Sequence, residues 1–162
     1  MANTQSMCTS FLGELLSASH NFSSANPAQT ASTANTFKAA LYTTTASPAI
    51  NAATTAYSAT GEVSGTGYTA GGVTVTNATN PASTNSSSTA GVGYWTPSAS
   101  LVYTTVTLTT AFDTVLIYNN TLSGKNAVSV HTFGSQTITA GTFTLTMPSN
   151  TTTNALLRLS TT

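Results

Sequence analysis

Leu101-Val-Tyr-Thr-Thr-Val-Thr-Leu-Thr-Thr-Ala-Phe-Asp-Thr-Val-Leu-Ile-Tyr118 is the stretch on which the fold turns. Its first half alternates, which predicts a strand over 101–110 with Val102, Thr104, Val106 and Leu108 on one face. Its second half, Phe112 to Tyr118, is nearly continuous and apolar, as expected of a central strand covered on both sides. β-Branched residues fit a pleated, half-buried surface, and Thr and Val dominate here.

The same signals recur on either side. Asn119 to Gly124 reads as a hairpin loop and Ala127 to Phe133 as the return strand. A short strand is expected around Ile138, then another in which Phe143, Leu145 and Met147 alternate with Thr142, Thr144 and Thr146. Ala155-Leu-Leu-Arg-Leu159 is the last strand. Upstream, Phe37, Ala39 and Leu41 alternate with Lys38, Ala40 and Tyr42, and Val73-Thr-Val-Thr76 follows the turn-rich Gly65–Gly72 segment. Tyr57 to Val63 fits a short strand or an extended loop. The Ser- and Thr-rich stretch from Asn77 to Gly93 is expected to be a flexible loop, closed by Tyr94-Trp95-Thr96 and pinned to the core through Trp95. The sum is an all-β chain, a β-sandwich or flattened barrel of about eight or nine short antiparallel strands.

The N-terminus departs from this pattern. Phe11, Leu12, Leu15 and Leu16 fall on one face of a short helix, with Thr9 or Ser10 as its cap and Glu14 near its positive end. So short a helix needs something to lie on, its own sandwich or a neighbouring subunit. Asn21 to Asn35, with Pro27, reads as an irregular loop. The division expected is residues 1–35 as an N-terminal helix and docking arm, and 36–162 as one β-sandwich domain.

Charge is nearly missing. Of 162 residues only 4% are charged, against roughly 25% in a typical soluble domain. Lys38, Lys125 and Arg158 balance Glu14, Glu62 and Asp113. Three scattered cations cannot neutralise a run of phosphates, which argues against nucleic acid as partner, and they form no basic cluster for an anionic membrane. No apolar run reaches the ~18 residues of a membrane span, and no signal-peptide pattern opens the chain, so synthesis in a reducing cytoplasm is expected. The Asn-x-Ser/Thr triplets at Asn21, Asn77, Asn85, Asn119 and Asn150 are chance matches in such a composition.

Groups able to do chemistry are correspondingly few. Cys8 is single, so no internal disulfide is available, and it has no partner at metal-ligand spacing. His131 and Asp113, on strands expected to be adjacent, are the only pair that could serve a hydroxyl nucleophile, and no Gly-x-Ser-x-Gly elbow accompanies them. His20 is the other histidine. Gly65, Gly67 and Gly71 lack the following helix of a phosphate-binding loop and fit a turn needing positive φ. Tyr42, Tyr57, Tyr68, Tyr94, Trp95, Tyr103 and Tyr118 fit core and strand-edge packing better than a sugar platform. No catalytic residue, metal ligand or cofactor site is assigned, and the expectation is a protein that is not an enzyme.

Several segments together resemble a family of small tailed-bacteriophage virion structural proteins. They are Met7-Cys-Thr-Ser-Phe11, His20-Asn-Phe22, Phe37-Lys-Ala-Ala-Leu-Tyr42, the Thr55–Gly72 turn segment, Val115-Leu-Ile-Tyr-Asn119, Ala127-Val-Ser-Val-His-Thr-Phe-Gly134, Gly141-Thr-Phe-Thr-Leu-Thr-Met-Pro148 and Asn154-Ala-Leu-Leu-Arg-Leu159. The resemblance spans nearly the whole chain. It implies a virion part and leaves capsid decoration (cement), a head-fibre base and a tail component open; capsid decoration is the expectation taken first, with a head-fibre or tail-associated, glycan-binding role as the alternative. Its partners would be the major capsid protein or another virion protein and further copies of itself, with a trimer favoured. Where the family carries acidic residues in loops and strands this chain has Ser, Thr and Ala, so no charge-based interface carries over.

Overall fold

A computed structural model describes residues 2–23, 33–77, 79–84 and 91–161. It is an all-β, sandwich-like fold with one short helix. The elements are β1 (Ser6–Met7), α1 (Thr9–Leu16), β2 (Phe37–Thr43), β3 (Val73–Val75), β4 (Ala82–Ser83), β5 (Val92–Trp95), β6 (Leu101–Asn119), β7 (Ala127–Leu145) and β8 (Leu157–Ser160). β1-β7-β6-β2-β3 form one antiparallel sheet and β4-β5-β8 a second.

The strands are not all short. The stretches expected as separate strands on either side of the hairpin fuse into β6 and β7, each 19 residues long. What the sequence shows as breaks are bulges, where pairing shifts without ending. The bulges also correct the expected faces. Thr105 has φ 51°, and the register slips between Tyr103 and Val106. An added residue turns every later side chain over. Leu101 and Tyr103 therefore share the core with Val106 and Leu108, whereas Val102 and Thr104 are exposed.

β2 is buried on both faces, Ala40 and Tyr42 as fully as Phe37, Ala39 and Leu41. It lies between β6 and β3, with layers above and below. On one side Phe37 stacks on Phe22 at 4.4 Å, and Trp95 closes on Phe22 at 4.8 Å, so α1 and the smaller sheet cover that face. On the other lie Tyr42, Tyr118 and the long connection from Thr44 to Gly72. Tyr57 to Val63 belongs to this connection; it pairs with β2 at one bridge, Tyr42 to Glu62, and Tyr42 also donates its hydroxyl to Ser58 O.

The N-terminal segment packs on its own chain. β1 pairs with β7 at Ser129 and Val130, and Cys8 and Phe11 are buried in the common core. The helical face differs from the expected one. Phe11 is buried and Leu15 partly so, while Leu12 is 46% and Leu16 92% exposed. Cys8, not Thr9 or Ser10, holds the N-cap position without a side-chain bond, which moves Glu14 out of the first turn. Of the Asn77–Gly93 stretch, residues 82–83 pair with β5 instead of looping freely, whereas 78 and 85–90 lie outside the described residues, as do 24–32 with Pro27.

Candidate functional site

The polar side chains are grouped, and each group ties one segment to the central sheet. The first lies under α1. His20 lies alongside the stacked Phe22–Phe37 pair, 6.1 and 6.3 Å from their centroids, and meets Phe11 edge-on at 5.0 Å. Its Nε2 donates to Glu14 Oε2 at 2.6 Å, and its Nδ1 accepts from Asn119 Nδ2 at 3.1 Å. The amide of Asn119 is fixed in that sense, since its Oδ1 accepts from the Thr121 N–H and its Nδ2 also donates to Asn35 Oδ1. Asn126 Nδ2 donates to Glu14 Oε1 at 2.7 Å. A carboxylate orienting a histidine is half of a catalytic triad. Here the second ring nitrogen is occupied by an amide, so no hydroxyl is activated. The arrangement fastens the helix and its following turn to both ends of the β6–β7 hairpin.

The second group gathers on Glu62. Its Oε2 accepts from Tyr57 at 2.6 Å; its Oε1 accepts from Tyr68 and from the Gly71 N–H, each at 2.7 Å. Tyr68 in turn accepts from the Leu41 N–H, Tyr118 donates to Gly71 O, and Tyr103 donates to Ala39 O. Burial first, and then the Glu62 carboxylate, push the Tyr57 and Tyr68 hydroxyls far above the ordinary phenol range. Burial and the Glu62 charge raise Tyr118 to about 12. These phenols are permanent donors. Tyr57 stacks on Tyr118 at 4.7 Å, with the Lys125 ammonium over its outer face.

The glycines of this connection serve close approach. A side chain at Gly65 would strike Thr107 O, and one at Gly72 would strike Ala39 O. Gly67 and Gly71 have the expected positive φ, as does Gly72, whereas Gly65 does not and is required by its close approach to Thr107 alone. The backbone is thereby laid directly on β6 and β2, and Thr66 bridges Thr107. No phosphate-binding loop is built from them: each meets its own chain.

His131 and Asp113 are committed elsewhere. Asp113 Oδ1 accepts from Asn3 Nδ2 at 2.9 Å and from Thr114 Oγ1, and Asn3 Oδ1 accepts the Ile50 N–H. His131 meets Ser129 Oγ at 2.9 Å, and burial pushes its pKa down to about 4. Neither bonds to the other. Cys8 is buried and pushed up to about 12, by burial and then by the Glu14 charge. Among the described residues no three of His, Cys, Asp and Glu come together as metal ligands.

Of the aromatic residues weighed as a sugar platform, Tyr42, Trp95, Tyr103 and Tyr118 are buried, and Trp95 Nε1 donates to Thr79 O. Tyr57 and Tyr68 are half-buried in the Glu62 cluster, and Tyr94 faces a groove. That groove, of about 290 Å³, runs between α1 and the smaller sheet and is lined by Phe11, Leu15, Phe22, Tyr94, Trp95 and Leu159 among others.

Sequence reading missed the Glu14–His20–Asn119 and Glu62 clusters. A signal for the first existed: His20 follows Glu14 by six residues, the nearest acid–histidine spacing in the chain. For the second there was none, since Glu62 meets partners up to nine residues away across a turn. No described helix is long and apolar enough to cross a membrane. Comparison with protein-family models, with curated proteins and with solved structures finds no match in any of the three.

Proposed function

We propose that this chain is a structural protein of a bacteriophage particle, acting as a capsid decoration protein that binds and stabilises the assembled shell through subunit contacts. One observation carries the reading: all three carboxylates are spent inside the fold, on Asn3 and Thr114, on Asn126 and His20, and on tyrosines. The outer surface is left to hydroxyls, methyls, amides and three cations. Such a surface suits contacts repeated many times by symmetry. Low charge also removes repulsion between identical neighbours. The resemblance to tailed-phage virion proteins points the same way. A glycan-binding tail role stands second, because Trp95 and most tyrosines are turned inward.

The test is the chain's position and copy number in purified particles, by cryo-electron microscopy and quantitative mass spectrometry. A stoichiometric, high-copy layer on the shell is the expected result. A handful of copies at the neck or tail would transfer the protein to the alternative, and absence from the particle would remove both.

A further inference from the structure

β7 has two very unequal halves. Its first residues are flanked by β6 on one side and by β1, at Ser129 and Val130, on the other. From 132 to 145 it keeps β6 but has no strand on its outer side among the described residues. β6 is treated differently: where it runs past β2, the Gly65–Tyr68 turn lies along it, and the Thr107 N–H donates to Thr66 O at 2.8 Å. One edge of the long ribbon is covered by the chain itself and the other is left open.

The open edge carries neither of the side-chain guards, charge and proline. Residues 132–145 contain no Lys, Arg, Asp, Glu or Pro, the residues that normally keep an exposed strand from pairing. Bulges near Ser135 and Ala140 are the one interruption, and they divide the edge into short runs that a partner strand would have to match. Beside it lies a row of half-buried apolar side chains, Phe133, Ile138, Phe143 and Leu145, with Phe133 and Phe143 in contact at 5.2 Å.

We propose that this edge of β7 pairs antiparallel with the same edge of a second copy of the chain, across a two-fold axis, so that the larger sheet continues from one protomer into the next. The apolar row is self-complementary in that arrangement. Reversing the strand sets Phe133 of one copy toward the Phe143–Leu145 end of the other and leaves Ile138 near the axis. Neutral meets neutral, with no charge buried unpaired. An edge of this length runs roughly 45 Å and about 10 Å deep, so two of them bury about 900 Å², the size of a weak association that forms at high concentration. A two-fold, not the three-fold favoured on resemblance, follows because an antiparallel edge pairs with its own kind. The pairing stands whether or not the protein belongs to a particle.

Light scattering on the full chain at high concentration tests it, together with Thr137→Lys/Thr139→Lys. Both positions are exposed, so the fold should survive, as unchanged circular dichroism and melting would show. The expected result is twice the chain mass for the parent and the single mass for the variant. A separate arm places cysteine at Thr137 or Thr139 in turn, next to the axis, with Thr109→Cys on β6 as control; oxidation should give a covalent dimer at one or both and none at the control. A parent that stays monomeric overturns the proposal and leaves the edge to a strand from a different protein. A dimer untouched by the lysines, or with no cross-link along β7, overturns it equally.

Discussion

The Tyr68 hydroxyl donates to Glu62 at 2.7 Å while accepting the Leu41 N–H at 3.0 Å, so one phenol joins the long connection to the central strand β2. Glu62→Ala strips three donors of their acceptor at once: Tyr57, Tyr68 and Gly71. A loss of roughly 2–4 kcal/mol in urea unfolding is expected, since half-buried donors left unmet cost more than the bond itself is worth. Tyr68→Phe combined with Glu62→Ala should cost less than the two changes added together. Strict additivity would show that the carboxylate does not organise the cluster.

Gly72→Ala and Gly13→Ala should have opposite signs. At Gly72 a Cβ would collide with Ala39 O and the φ is +73°, so a loss of about 3 kcal/mol or more is expected. Gly13 lies within α1 with open space around its Cα, and alanine there should add about 0.5–1 kcal/mol. Thermal unfolding of both variants reads the contrast.

Acid should weaken the fold through His131. Its folded pKa lies near 4, below the unfolded value of 6.5, so the unfolded chain binds the proton first. The contribution is complete above the unfolded value and is lost as pH falls from there through about 4. It is worth on the order of 3 kcal/mol. His131→Gln should flatten the melting temperature over that window. An unchanged slope would assign the acid sensitivity to other groups.

Cys8 should resist thiol reagents at neutral pH. Its thiol is fully buried and pushed up to about 12, and only the thiolate reacts. Modification should therefore follow the rate of opening and become immediate in denaturant. Fast labelling of the folded chain would mean that β1 and α1 detach readily.

How much of this was legible varies along the chain. Phe37 to Thr43 and the apolar run before Tyr118 declare themselves, because side-chain period and β-branching are local. Thr105 does not: nothing marks it for positive φ, yet it decides whether Val102 or Tyr103 enters the core. The Gly65–Gly72 run signals a turn, but that it lies directly against β6 and β2 depends on partners some forty residues away. Leu12 and Leu16 carry the same apolar signature as Phe11 and Leu15 and are nonetheless exposed, since β7 meets only one side of so short a helix. His20 and Glu14 read as two isolated polar residues until the hairpin amides of Asn119 and Asn126 arrive to join them.

The clasp between β1 and β7 has a consequence for synthesis. Ser6 and Met7 are translated some 120 residues before the strand that receives them, and Glu14 waits almost as long for Asn126. A nascent chain therefore holds β1 and α1 unsatisfied until β7 has been translated, and such distant pairing is slow to form. Chains released early lack β7 and cannot bury Cys8 or Phe11. Completion of the fold thus serves as a check that translation reached the far side of the hairpin.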